Sequence, residues 1–323
     1  MLKVGVVGLG HLGKHHVRIL SQLNDCKLVG VYDILPERTV EFADLYNVKA
    51  FSSYTDLLTE VDVVDIVATT SFHYELAKPA LENGCHIFIE KPITNTKEQA
   101  QELINIADRK GLKIQVGHIE RFNPVVMKIA SNVENPMFIE THRLAPFTPR
   151  GSDVPVVLDL MIHDIDLIMA FVKSKIKDIR ASGVAVLTKN IDIANARLEF
   201  ENGAIANVTA SRISMKRERK IRFFQRNSYI SVDFDNKSVS VFKLSENIYS
   251  MMPSIMSGDL DFNPLDMVNF EEIKSSENDK DALTMQLESF IESIIHNKRP
   301  VVDGNDGLAA LSVALQIMDI IKE

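Results

Sequence analysis

Val4-Gly5-Val6-Val7-Gly8-Leu9-Gly10-His11-Leu12-Gly13 decides the reading of this chain. A short apolar run with the character of a buried strand meets Gly-x-Gly-x-x-Gly where an amphipathic pattern begins. The first glycine permits a tight turn, the second lets backbone approach a pyrophosphate, and the third lets helix and strand pack closely. The helix that follows offers free amides and the positive end of its dipole to an anion. Taken alone, the motif is also compatible with an ordinary glycine-rich turn. Its surroundings separate the two readings. A second strand-like run, Leu28-Val29-Gly30-Val31-Tyr32, ends in Asp33, twenty residues beyond Gly13. A carboxylate there can accept hydrogen bonds from an adenosine ribose and repels a 2′-phosphate, which favours NAD over NADP, with Arg38 nearby keeping NADP open.

Working outward, the same strand–helix rhythm continues to about residue 116. Runs at Val4–Val7, Leu28–Tyr32, Val63–Val67, His86–Ile89 and Lys113–Val116 are rich in Val and Ile and nearly continuous apart from Asp65. Helical periodicity falls at about 12–22, 36–46, 73–83 and 96–110. This half reads as an α/β Rossmann fold, a doubly wound parallel sheet. After Arg121-Phe122-Asn123-Pro124 the pattern changes. A helix is expected at about 156–172, followed by alternating runs near 178–188, 193–200, 204–213, 218–226, 228–234 and 238–243, with hairpins at Glu201-Asn202-Gly203 and Asp235-Asn236-Lys237. Strands in succession imply an α+β domain with an open, mainly antiparallel sheet. Residues 245–280 lack a clear period and read as an excursion or lid. Two helices, about 281–296 and 305–322, close the chain. The expected division is 1–121, 122–303 and a final helix at 304–323 packing back on the first domain.

Bulk properties narrow the function. With 323 residues, 46% hydrophobic and 25% charged, the chain has the balance of a globular protein of two lobes. A formal charge of −8 disfavours the phosphate backbone of nucleic acid as a partner. The two cysteines, Cys26 and Cys85, stand outside metal-ligand or disulfide spacings and fit a reducing cytoplasm. No run approaches the ~18 apolar residues of a membrane span, and the amino terminus passes straight into a strand. His15-His16 and His118-Ile119-Glu120 lack a convincing ligand set, so no metal is expected.

Ligands of open α/β sheets gather beyond the carboxyl ends of the strands. Two segments lie there: Thr69-Thr70-Ser71-Phe72-His73 and Glu90-Lys91-Pro92. A lysine held beside a nicotinamide can hydrogen-bond a hydroxyl undergoing oxidation, and burial or the positive ring would depress its pKa toward proton transfer. A surface lysine before a turn proline is the alternative. In Leu158-Asp159-Leu160-Met161-Ile162-His163-Asp164-Ile165-Asp166, helical spacing places Asp159 and His163 on one face, where the carboxylate can orient an acid/base imidazole. A dipole-favoured acid and a packing histidine remain open.

Together these residues resemble the Gfo/Idh/MocA oxidoreductases, named for glucose-fructose oxidoreductase, inositol dehydrogenase and a rhizopine catabolism protein. The carriers are Gly8 through Gly13, Thr70 and His73, Ala80 through Pro92, and Asp159 through Asp166, so the resemblance spans essentially the whole chain. It implies that Lys91 contacts the reacting hydroxyl, that Asp159 and His163 are the acid and histidine of the catalytic helix, and that the open sheet face pairs subunits into a homodimer or homotetramer. The expected cofactor ligands are Gly8, Gly10, His11, Leu12, Gly13, Asp33, Arg38, Thr69, Thr70, His73, Glu90 and Lys91. Departures from the family lie at Val154-Pro155-Val156-Val157-Leu158, where it often has a glycine-rich approach, and at Met161, where it often has a small residue. Gly117 through Pro124, Asp159 through Asp166 and Ser211 through Lys220 are similar to the subgroup that includes UDP-N-acetylglucosamine 3-dehydrogenases. That likeness suggests a sugar or nucleotide-sugar substrate met by Lys91, Arg121, Arg143, Arg150, Asp159, His163 and Arg212, with Arg143, Arg150, Arg212 and Lys216 as partners for its diphosphate. For the charge run of Lys216, Arg217, Arg219 and Lys220, a solvated strand or dimer rim is the favoured reading. A dehydrogenase of a free sugar or inositol, an NAD-dependent glycosidase and a non-catalytic NAD-binding sensor are the alternatives.

Overall fold

The computed structural model describes residues 1–149, 151, 154–245, 253, 256–257, 268–276 and 279–322. Arg150 and most of the 245–280 excursion lie outside them. The described chain divides into two compact units, Met1–Phe122 with Lys280–Val313, and Asn123–Asp279 with the residues from Ala314 onward.

In the first unit, strands β1 (Leu2–Val7), β2 (Cys26–Tyr32), β3 (Lys49–Ala50), β4 (Val63–Ile66), β5 (His86–Ile89) and β6 (Ile114–Val116) form one parallel sheet in the order β3-β2-β1-β4-β5-β6. The direction of strand order reverses at β1 and β4, so the chain leaving β1 faces the crevice where such sheets hold ligands. Helices α1 (Gly13–Leu20), α2 (Pro36–Tyr46), α3 (Tyr54–Leu58), α4 (Thr70–Glu82) and α5 (Lys97–Lys110) make the crossovers. The short β3 and α3 are too brief to leave a period in the sequence.

Continuous apolar strands bury both faces, and Val4, Val6, Val17, Leu28, Val31 and Phe88 share one core cluster. That cluster also takes in Leu287, Phe290 and Ile291 of α8 (Ala282–Ile295). Here the structure departs from the expected division at 303/304. Gln115 Nε2 donates to the Gln286 carbonyl at 2.8 Å and Val116 N–H to the Val302 carbonyl at 3.0 Å, so Lys280–Val313 belongs to the first unit. The last helix, α9 (Gly304–Lys322), is divided, its residues up to Val313 in the first unit and the rest in the second.

The second unit holds an eight-stranded sheet in the order β14-β13-β12-β11-β7-β10-β9-β8. Its strands are β7 (Phe138–Leu144), β8 (Ile176–Val184), β9 (Ile193–Phe200), β10 (Ile205–Ser211), β11 (Glu218–Gln225), β12 (Ser228–Asp233), β13 (Ser238–Leu244) and β14 (Val268–Lys274). All neighbours are antiparallel except β7 and β10. Two strands escaped the periodicity. Central β7, Phe-Ile-Glu-Thr-His-Arg-Leu, buries Thr141 and Arg143 on its inner face, so polar residues occupy positions the alternation reserves for apolar ones. Edge strand β14 falls inside the stretch read as an excursion, and most of its side chains are exposed. Short α6 (Pro124–Ile129) precedes the sheet, and α7 (Ile162–Val172) packs against β7 and β10.

Candidate functional site

The glycine loop shows what each glycine is for. Gly8 has φ +93°, and a Cβ there would lie 2.8 Å from the Val67–Ala68 backbone, so both conformation and space demand glycine. A Cβ on Gly13 would lie 2.0 Å from the Gly8 carbonyl oxygen, because helix α1 crosses its own strand at contact distance. Gly10 differs: among the described residues, no atom lies within 4 Å of a Cβ built on it. Protein packing therefore does not ask for glycine at 10, whereas close approach by a pyrophosphate would.

Beside the loop lies a cavity of about 280 Å³ lined by Gly8 and Gly10, by Tyr32 through Leu35 and Arg38, and by Val67 through Thr69 with Phe72 and Leu76. The ends of β1, β2 and β4 thus bring Gly8, Gly10, Asp33, Arg38 and Thr69 together, as the motif requires. Asp33 ties the loop to the next turn: Oδ2 accepts from Leu9 N–H at 2.6 Å and Oδ1 from Leu35 N–H at 2.9 Å. Each carboxylate oxygen keeps a second lone pair for a ribose hydroxyl. Ile34, Leu35 and Phe72, exposed apolar side chains on this wall, suit the flat face of an adenine; the sequence reading did not single them out. His11 and Leu12 are exposed on the loop before α1, and the exposed Thr69 stands immediately before α4, ahead of the half-buried Thr70.

His73 needs correction as a cofactor ligand. It is 1% exposed, with Nδ1 2.8 Å from the Pro92 carbonyl and Nε2 3.0 Å from the Ala68 carbonyl. Burial pushes the ring below its ordinary value against the pull of those carbonyls, and the side chain works as a clip between the β4 and β5 loops. Glu90 and Lys91 stand at the end of β5, before a cis peptide to Pro92. Lys91 is half-buried, and its backbone N–H donates to Glu90 Oε2 at 3.2 Å. Glu90 Oε2 lies 2.7 Å from where a Cβ on Gly117 would sit, so the glycine makes room for the carboxylate. Arg121 is half-buried in a single 3₁₀ turn, Ile119–Phe122.

Within the second unit, the segment read as one helix opens with a π-helical turn, Val157–Met161, before α7. Such turns recur at functional sites. Asp159 lies in the π turn with Oδ2 3.2 Å from a Cβ position on Gly151, and His163 lies in the first turn of α7, half-buried. Two arginines expected at substrate are held inside this unit instead. Arg143, 4% exposed, forms a bidentate pair with buried Asp164 through Nε–Oδ2 (2.9 Å) and Nη2–Oδ1 (2.7 Å). Arg212, 6% exposed, donates from Nη1 to the Gly151 carbonyl at 2.6 Å and from Nη2 to the Val154 carbonyl. Spacing alone does not distinguish a substrate arginine from one that folds a loop. Arg143→Met should lower the unfolding free energy by about 3–5 kcal/mol, because Asp164 is left charged and buried. Denaturant unfolding checks this, and a loss below about 1 kcal/mol contradicts it. The charge run after Arg212 finds partners in its own unit, with Arg217 on Asp235 at 2.9 Å and Lys220 on Asp233 at 3.3 Å.

Comparison with known proteins bears on this geometry. The family described as oxidoreductases with an NAD-binding Rossmann fold matches residues 2–118, and the GFO/IDH/MocA C-terminal domain matches residues 135–231. Over 317 residues, 98% of this chain and 96% of the relative, the sequence is 35% identical to UDP-N-acetylglucosamine 3-dehydrogenase of Acidithiobacillus ferrooxidans. The chain belongs to the Gfo/Idh/MocA oxidoreductase family. The solved structure of that Acidithiobacillus enzyme matches this Gfo/Idh/MocA protein with a TM-score of 0.89 at 34% identity, covering 99% of this chain and 98% of that one. Myo-inositol 2-dehydrogenase of Thermotoga maritima is 24% identical, covering 96% of this chain and 93% of the relative. A scyllo-inositol dehydrogenase from Lactobacillus casei, solved with bound NAD(H) and scyllo-inositol, shares the fold with a TM-score of 0.80 at 21% identity, covering 100% of this chain and 97% of that one. This family member is an NAD-binding oxidoreductase, and its loop fits the cofactor: open space at Gly10, an acid at the end of β2 and an apolar-walled cavity between them. No helix among the described residues is long and apolar enough to cross a membrane, and no three His, Cys, Asp or Glu side chains among them are grouped to hold a metal ion.

Proposed function

We propose that this oxidoreductase oxidises a ring hydroxyl of a nucleotide sugar, with the 3-hydroxyl of UDP-N-acetylglucosamine as its substrate. The observation that carries this reading is 35% identity to a UDP-N-acetylglucosamine 3-dehydrogenase across 98% of the chain. Bound NAD supplies the acceptor for the hydride that leaves the carbinol carbon. Gly8, Gly10, Gly13, Asp33 and Thr69 hold and orient it, with Asp33 on the adenosine ribose. Lys91 and His163 share removal of the single hydroxyl proton as the carbonyl forms, one accepting it while the other hydrogen-bonds the oxygen, and Asp159 orients the imidazole. Of the residues expected at a diphosphate, Arg143 and Arg212 are engaged within the second unit, which leaves Arg150 and Lys216 as the residues proposed for it. Oxidation of a free inositol is the second reading, supported by the 24% identity to a myo-inositol dehydrogenase.

The deciding experiment follows NADH formation with UDP-N-acetylglucosamine, its epimers, free sugars and inositols. Turnover on UDP-N-acetylglucosamine at least ~100-fold above the inositols is the expected result. Turnover on inositols alone overturns the nucleotide-sugar reading.

We further infer that two copies pair through the outer face of the eight-stranded sheet. Phe138, Phe224, Tyr229, Phe242 and Phe270 face one another across five neighbouring strands, with ring centroids 4.8–5.8 Å apart. Phe270 is 59% and Phe224 38% exposed, and a continuous aromatic stripe on a sheet face supports association with a like surface. Phe224→Asp should convert a dimer or tetramer to smaller species in light scattering. A wild-type protein monomeric at micromolar concentration refutes this.

A further inference from the structure

Beneath the β5 loop lies a buried ionic cluster that the proposed reaction does not use. His16 of α1 is 1% exposed, its Nδ1 2.9 Å from Asp65 Oδ2 and its Nε2 3.4 Å from Glu90 Oε1. Asp65 comes from the middle of β4, the one acid in a strand otherwise apolar, and Glu90 from the end of β5. Phe88 closes the cluster edge-on at 5.6 Å from the His16 ring. Only an imidazolium can donate from both nitrogens to two carboxylates at once.

We propose that His16 is a positioning residue: as an imidazolium between Asp65 and Glu90 it fixes the Glu90 carboxylate under the Glu90-Lys91-Pro92 turn and sets the net negative charge beside Lys91. Glu90 is the link, since its Oε1 faces the ring while its Oε2 accepts the Lys91 backbone N–H. Gly117 leaves the carboxylate its space. The wild-type cluster of one cation and two anions carries one net negative charge.

Electrostatics agree with the geometry. Burial would lower His16, but Asp65 and Glu90 overcome it and push the ring up to about 10. Burial likewise would raise Glu90, and His16 and Lys91 hold it below the usual carboxylate range. Burial raises Asp65, opposed by His16, so the two compete for the proton between them; the ring also faces Glu90, and the proton is placed there. Other charged groups stand around α1. Lys14, His15 and Arg18 lie on α1 itself, with Asp281 at the start of α8 acting on Arg18. Lys3 and Lys27 are exposed at the amino ends of β1 and β2, and Glu37, Arg38, Glu41 and Asp44 are exposed on α2. On α8, Glu288 pairs with Lys280 and Glu292 is exposed.

The assignment of Lys91 as proton acceptor rests on the function proposed above, so the test reads charge without turnover. In protein carrying ¹³C-labelled histidine, the His16 resonance, assigned by His16→Gln, should stay in the imidazolium position at pH 8.5. A resonance already deprotonated at that pH overturns the proposal. The Lys91 titration midpoint, followed by ¹³C reductive methylation and assigned with Lys91→Met, should move by about one pH unit between variants. It should rise in His16→Gln, fall in Glu90→Gln and return near wild type in the double variant, whose cluster again carries one negative charge. Coincident midpoints would reduce His16 to a packing residue. If His16→Gln does not fold, the histidine resonance that moves in Glu90→Gln identifies His16, and its charge state at pH 8.5 decides the same point. Failure of every sugar in the NADH assay would reject the proposed substrate and leave these titrations standing.

Discussion

Lys91→Met should lower kcat by about 10²–10⁴-fold while leaving the NAD dissociation constant within a few-fold of wild type. Methionine keeps the length of the stem and removes the ammonium, so the β5 turn, held by Glu90 on the Lys91 backbone N–H, has no reason to change. Turnover measured on the best sugar of the panel and NAD binding followed by fluorescence separate the two effects. A variant that retains its turnover would remove Lys91 from the chemistry. One that loses NAD binding as strongly as turnover would make it a cofactor ligand only.

The second large effect is a contrast between two glycines of one motif. Gly13→Ala places a methyl 2.0 Å from the Gly8 carbonyl oxygen, a backbone atom that cannot swing aside, so α1 must move away from β1. A loss of at least about 1–3 kcal/mol in unfolding free energy is expected, together with loss of most NAD affinity. Gly10→Ala meets no described atom within 4 Å and should fold with wild-type stability. It should nonetheless weaken NAD by more than about tenfold, because the methyl occupies the space the pyrophosphate needs. Thermal unfolding and NAD titration on both variants check the pair. Undiminished NAD binding by Gly10→Ala would show that the pyrophosphate does not approach there.

Arg143 and Arg212 mark where reading along the chain fails. A basic residue beside a sugar phosphate and one bound to a buried carboxylate or a loop carbonyl look alike in sequence. Asp164 is twenty-one residues from Arg143, and the Gly151 carbonyl sixty-one from Arg212. His73 failed for the same reason, its place just beyond a strand end suggesting a ligand while both ring nitrogens lie on main-chain carbonyls. Asp65 did leave a signal, as the lone acid in a buried strand, but its partner His16 stands forty-nine residues earlier. Strand β7 was hidden because its inner face carries Thr141 and Arg143.

What local pattern could determine, it did: the glycine loop with its helix, the acid at the end of β2, the parallel strands of the first unit apart from short β3, and most of the antiparallel strands of the second. Those features rest on dihedral preference and on periods of a few residues, which the chain carries wherever it folds. The partners of buried charges, the π turn under Asp159 and the membership of α8 in the first unit came only with the folded chain. Each depends on which distant segments are packed together, and a buried charge must find its counter-charge there whatever its sequence neighbours suggest.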